Sequence, residues 1–153
     1  MKEWINPVEG AITSIFGYRV NPVLNKEEFH DGIDIAAGMG TPVAAVRDGV
    51  VTKAGWSNTY GNYITFITED GYEIKYAHLS KTLAENGDTV RQGQIIAESG
   101  NTGLTTGPHL HYSITEGEGF VDPGIYVSLE YTKKARSDYL SVLGLSAVNL
   151  REN

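Results

Sequence analysis

The chain contains no cysteine, which excludes a disulfide framework and any thiolate metal site. It is also short of cations: 12 Lys and Arg face 19 Asp and Glu, for a net charge of −7. Nucleic acid is therefore not expected as a partner, because phosphate binding needs clustered cations. An anionic membrane surface offers such a chain no attraction either. Long apolar runs are missing. None approaches the roughly 18 residues that a membrane helix needs, so no membrane segment is expected. The first ten residues carry Glu3, Pro7 and Glu9 without an apolar stretch and do not read as a signal peptide. The expectation is a domain taken from a longer protein, or one exported by another route.

What is present is glycine, 18 in 153 residues, distributed as closely spaced turn signals. Breaks fall at Gly38-Met39-Gly40, Asp48-Gly49, Asn58 to Gly61, Asp70-Gly71, Asn86-Gly87-Asp88, Gly100 to Gly107 and Glu116 to Gly119. Between them lie short β-branched and aromatic runs at 41–46, 50–54, 62–68 and 72–77, with Asp70-Gly71 as a hairpin signal between the last two. A chain of this length sets a prior of one domain. Many short strands at regular spacing predict a mainly β fold, an antiparallel sandwich or barrel-like sheet, rather than alternating βαβ units. The glycine punctuation fades beyond about residue 129. Residues 1–128 are read as the domain and residues 129–153 as a C-terminal extension, with a short helix from about Lys133 to Leu143. That extension is expected to pack on the domain or trail as a linker; the sharper alternative is a helix that docks a partner.

Four histidines occur, His30, His78, His109 and His111, and a single histidine is more often structural than functional. Two of their settings share a period of two. Read as one strand, Phe29 to Ile35 places His30, Gly32 and Asp34 on one face and Asp31, Ile33 and Ile35 on the other. Gly32 permits a close approach or a bend. In Gly107-Pro108-His109-Leu110-His111-Tyr112-Ser113-Ile114 the imidazoles and Ser113 share one face, and Leu110, Tyr112 and Ile114 share a face suited to a core. Adjacent imidazoles resist joint protonation, which favours neutral rings able to bind a metal. Catalytic zinc takes three protein ligands and leaves a fourth position open, and two histidines with one aspartate are a suitable set. The helical H-E-x-x-H motif is absent.

The words around these residues resemble the lysostaphin or LytM type of zinc peptidase. Phe29-His30-Asp31-Gly32-Ile33-Asp34-Ile35-Ala36 resembles that family's first motif, and Tyr76-Ala77-His78-Leu79 and His109-Leu110-His111 its later ones. Gly38 to Val51, Gly87 to Gln94, Gly100-Asn101-Thr102-Gly103 and Val121-Asp122-Pro123 resemble the segments between and after. The resemblance runs from about Asn6 to Tyr126 and stops before the extension. It implies the duplicated-hybrid-motif β fold with a groove, one zinc ion held by His30, Asp34 and His111, and two catalytic histidines, His78 and His109. It further implies hydrolysis of peptide cross-links in bacterial peptidoglycan, in the cell envelope or outside the cell. A monomer is expected. Asp31, pointing the other way on a strand, is expected to be at most a residue behind the metal ligands. Gly38 to Gly40, Asn58 to Gly61 and Asn101 to Gly107 are read as groove rims, or more simply as tight turns.

Two other functions compete. A non-catalytic binding or scaffold domain of the same fold should show a substituted ligand, and all five positions are intact. A biotinyl or lipoyl carrier shares the hairpin look of Val50-Val51 and Gly87 to Ile96, but it needs a lysine at a hairpin tip, and no Met-Lys-Met occurs.

Overall fold

The computed structural model describes residues 3–21 and 26–144. In chain order the strands are β1 (Ile12–Ser14), β2 (Gly17–Asn21), β3 (Lys26–His30), β4 (Gly32–Ala36), β5 (Pro42–Ala44), β6 (Gly49–Ser57), β7 (Gly61–Thr68), β8 (Tyr72–Thr82), β9 (Thr89–Val90), β10 (Ile95–Ser99), β11 (His109–Glu116) and β12 (Gly119–Val121). A 3₁₀ turn at Pro123–Tyr126 and the helix α1 (Lys133–Val142) follow. Ten strands form one antiparallel sheet whose main path runs β1-β4-β11-β8-β7-β6-β9, while β2 and β3 form a separate hairpin. The mainly β, antiparallel architecture expected from the turn spacing is the one found. Among the described residues no helix is long and apolar enough to cross a membrane.

One face of the central strands makes the core. Ile33 and Ile35 of β4, Leu110, Tyr112 and Ile114 of β11, and Ile74 and Tyr76 of β8 are all buried. The residues between them point the other way, as the strand period requires. β4 and β11 pair so that His111 stands opposite Asp34, His109 opposite Ala36 and Ser113 opposite Gly32. Gly32 is needed there, because a Cβ at this position would overlap the carbonyl oxygen of Tyr112.

The run Phe29 to Ile35 is not one strand. Asp31 belongs to neither β3 nor β4, and the chain passes at that residue from the β2–β3 hairpin into the large sheet. β4 is held flush on β11 through Gly32, whereas β3 follows β2, with Gly17 opposite His30. The two pairings pull in different directions, and Asp31 takes up the difference.

β8 changes partner along its length. Tyr72 to Ala77 pair with β11, and Leu79 to Thr82 pair with β10. His78 lies at the switch with φ +59°, the one non-glycine residue at positive φ among those described. Against β7 the register slips there: Asn62 opposes Leu79 while Ile64 opposes Tyr76. One extra residue is thus accommodated in β8, the signature of a bulge that re-aims a side chain.

The described part of the extension docks on the sheet. Thr132 caps α1 by accepting the amide of Ala135, the backbone of Ile12 bonds both Glu130 and Thr132, and Ala135 and Leu140 are buried. Residues 145–153 lie outside the described residues.

Left-handed backbone costs a side-chain-bearing residue about 1–2 kcal/mol relative to glycine, and glycine gives back about 0.5–1 kcal/mol through unfolded-state entropy. The variant His78→Gly should therefore be more stable to urea than His78→Ala by about 0.5–1 kcal/mol. A more stable alanine variant would show that the bend is not maintained.

Candidate metal and active site

The register that opposes Asp34 to His111 brings their polar atoms together, and His30, at the end of β3, completes the group. His30 Nε2 lies 3.2 Å from Asp34 Oδ1 and 3.2 Å from His111 Nδ1. His111 Nδ1 lies 3.1 Å from Asp34 Oδ1. Three potential ligand atoms thus form a nearly equilateral triangle, and these residues could hold a metal ion.

Each imidazole is anchored from behind. His30 Nδ1 donates to the carbonyl of Ile15 at 2.8 Å, leaving Nε2 for the triangle. His111 Nε2 donates to Asp31 Oδ1 at 2.7 Å, leaving Nδ1. His78 Nδ1 donates to the carbonyl of Thr102 at 2.7 Å. His109 Nδ1 donates to the carbonyl of Gly107 at 2.7 Å, with Thr105 Oγ1 3.2 Å away. His109 Nε2 then points inward, 3.6 Å from Asp34 Oδ1. The His78 and His109 rings stand side by side, centroids 5.0 Å apart. All four histidines share one cavity of about 210 Å³ with Asp31, Asp34, Tyr60, Thr105 and Thr106.

The same ring acquires opposite acid–base character at two positions. Burial, with the neighbouring His109 and His111, pulls His78 down to about 4, although its bond to Thr102 and the charge of Asp34 oppose this. Burial also favours the neutral form of His111, but there the bonds and charges of Asp31 and Asp34 outweigh it and raise the ring to about 9. Burial would raise Asp34, yet its bonds to His111 and His30 hold it well below the usual carboxylate range. With no cation in the triangle, His111 therefore carries a proton at neutral pH.

All five residues singled out in the sequence meet at this one site. Asp31 does not face away: the strand break turns it toward His111. Tyr60, whose hydroxyl donates to Asp31 at 2.7 Å, was visible only as part of a turn. Two of the three suspected rims do line the cavity, through Thr59 and Tyr60 and through Leu104 to Thr106. Gly38 to Gly40 do not line it and serve as a turn. A second cavity of about 770 Å³ shares Asp34 and His109 with the first and extends past Tyr18 to Lys134, Asp138, Ser141 and Val142 of α1.

A cluster of imidazole and carboxylate that could hold a metal ion, with further histidines facing it, is an arrangement that suits metal-dependent hydrolysis. The sequence model of peptidase family M23 matches residues 28–123, and the chain belongs to that family. It is 48% identical over 101 residues to the DD-carboxypeptidase/endopeptidase Mpg of Neisseria meningitidis, covering 66% of this chain and 23% of that protein. It superposes on the catalytic domain of the antimicrobial peptidase lysostaphin from Staphylococcus simulans with a TM-score of 0.65 and 37% identity, covering 74% of this chain and 87% of that one. A zinc-containing peptidase from Vibrio cholerae gives a TM-score of 0.69 at 34% identity, over 78% of this chain and 39% of that one. The chain spans about a quarter of the length of the curated relatives it matches.

The sign of the His111 shift sets a pH dependence. The ring rises from its ordinary 6.5 to about 9 on folding, so the bound proton stabilises the metal-free fold. That contribution is full below about 6.5 and lost as pH rises through 9. Thermal melting in the presence of a chelator should fall between pH 6.5 and 9.5, and His111→Ala should flatten that part of the profile. A wild-type midpoint that rises over this range would contradict the pairing.

Proposed function

We propose that this chain is the catalytic part of a zinc metalloendopeptidase that hydrolyses peptide cross-links of bacterial peptidoglycan. Residues 1–128 form the peptidase domain and residues 129–153 an extension to it. The observation that carries the reading is the triangle of His30 Nε2, Asp34 Oδ1 and His111 Nδ1, with sides of 3.1–3.2 Å. Ligand atoms at zinc–nitrogen distances of about 2.0–2.1 Å stand about 3.3–3.4 Å apart in a tetrahedron. The triangle matches that spacing closely, and both histidines present the correct nitrogen because the other is engaged. Two imidazoles and one carboxylate would hold a divalent ion with net positive charge.

When bound, zinc supplies a Lewis acid for a carbonyl oxygen and lowers the pKa of water to about 7. The chain's own residues supply the rest. His78 is neutral at pH 7, with its pKa near 4, and its Nε2 is left free to accept a proton. His109 is fixed by Gly107 with Nε2 facing the cavity. Between them these rings orient the attacking water, take its proton and return it to the departing amine, as general acid–base catalysis requires. Neither ring belongs to the triangle, so each is free to turn over protons without releasing the ion. Peptide on either side of the cut bond lies in the first cavity and along the second, beside α1.

The substrate class rests on the relatives, which include enzymes named DD-carboxypeptidase/endopeptidase and lysostaphin, and it implies action at the cell envelope or outside the cell. Metal analysis paired with digestion of purified cell wall tests the proposal. About one zinc per chain is expected. His111→Ala should lose zinc and activity together, whereas His109→Ala and His78→Ala should keep zinc and lose about 10²- to 10⁴-fold in rate. A wild-type protein that holds zinc but leaves cell wall intact would point instead to a binding or scaffold role. Normal digestion by His78→Ala would rule out the two-histidine scheme.

A further inference from the structure

Of the two histidines in the triangle, one leans on a backbone carbonyl and the other on a carboxylate. His30 donates to Ile15 at 2.8 Å, a neutral acceptor fixed by the fold. His111 donates to Asp31 at 2.7 Å, an ionised side chain that needs its own support. That support comes from Tyr60, whose hydroxyl donates to the second carboxylate oxygen at 2.7 Å. Tyr60 is itself held on three sides. Its amide donates to Ser57 Oγ at 2.9 Å, its carbonyl accepts the amide of His78 at 2.7 Å, and Lys75 Nζ lies 4.2 Å over its ring.

Asp31 does not belong to the triangle. Its oxygen bonds Nε2, and the triangle uses Nδ1, on the other side of the same ring. Asp31 therefore acts on a metal only through His111. An imidazole that binds through Nδ1 can swing about its Cβ–Cγ bond until the far nitrogen is tied. A carboxylate there fixes the ring plane and makes Nδ1 a stronger donor to a cation than a neutral carbonyl would.

We propose that Asp31, braced by Tyr60, is a positioning residue that locks His111 as an Nδ1 ligand and sets the affinity of the site for zinc. This rests on the metal reading of the triangle. It adds a directional chain from Tyr60 to Asp31 to His111, in which each member acts only through the next.

The test is zinc affinity in the purified chain, measured by competition with a chromophoric chelator at one fixed pH, with zinc as the only ligand added. Asp31→Ala should bind zinc about 10- to 100-fold more weakly, with the far-ultraviolet circular dichroism of the metal-free protein unchanged. Asp31→Asn keeps the shape and one acceptor oxygen but loses the charge, and should fall between Asp31→Ala and the wild type. It also serves if the alanine variant does not fold. Tyr60→Phe should weaken zinc to a smaller degree in the wild type and not at all in the Asp31→Ala background, since a brace has no effect once its carboxylate is gone. Undiminished affinity in Asp31→Ala or Asp31→Asn would overturn the proposal. An equal loss from Tyr60→Phe in both backgrounds would break the chain between Tyr60 and Asp31. A wild-type chain that takes up no zinc would instead overturn the metal reading itself, a result distinct from either.

Discussion

The site depends on the register between β4 and β11. Antiparallel pairing places Asp34 directly against His111, with both on the open face. A one-residue slip of β4 would turn Ile33 and Ile35 outward and drive the Asp34 carboxylate into the core, and the same slip of β11 would do this to Leu110 and Tyr112 and to the His111 imidazole. Those four apolar residues are at most 1% exposed. Burying each stabilises the fold by about 1.5–3 kcal/mol, so the core strongly disfavours the slipped arrangement. The geometry of the polar face is thus set by packing on the opposite face, and Gly32 lets the two backbones meet closely enough for the pairing to run through the site.

On that frame the four histidines are differentiated by what holds their outer nitrogens. Backbone carbonyls hold His30, His78 and His109. These acceptors orient a ring without adding a full charge. Only His111 leans on a carboxylate and also faces a second one in Asp34. Burial lowers the basicity of both His78 and His111, but only His111 has carboxylates bonded to both nitrogens, and its pKa moves upward. The same residue type thus acquires opposite proton affinities at two positions that line one cavity.

The period-two alternation of 29–35 and 107–114 exposed Asp34, His109 and His111 as a polar face and the apolar core behind them. The same alternation placed His30 beside Asp34, and the family motifs added His78. The turn spacing carried the antiparallel fold, and the glycine-free run from about Lys133 to Leu143 carried α1. Position 31 was misread because alternation assumes a continuous strand. The pairing of β3 with β2 interrupts it, and no local pattern in Phe-His-Asp-Gly-Ile reports a partner lying elsewhere in the chain. The left-handed conformation of His78 was hidden for a related reason. The strand reads from sequence as 72–77 and stops short of His78, whereas the bulge arises from β8 continuing to Thr82 and satisfying both β11 and β10. Tyr60 looked like a turn residue, which it is; its hydroxyl matters only because the break at Asp31 delivers a carboxylate to it.

Loops are ordinarily the mobile part of a domain, yet two of them carry the rim of this site, and their backbones are interlocked. A Cβ on Gly61 would overlap Thr102, and one on Gly103 would overlap the amide of Gly61. Both glycines lie at positive φ, so each is required for its turn and for the contact. Thr102 ties the pair to the sheet: its hydroxyl donates to Leu79 at 2.6 Å and accepts the amide of Asn62 at 3.1 Å. His78 bridges the same two loops, its ring donating to the carbonyl of Thr102 and its amide to that of Tyr60. Reading such glycines either as turn formers or as a groove rim is thus a false choice. The absence of side chains lets one loop rest on the other, and that contact gives a loop-borne rim a fixed geometry around the His78 ring that it holds.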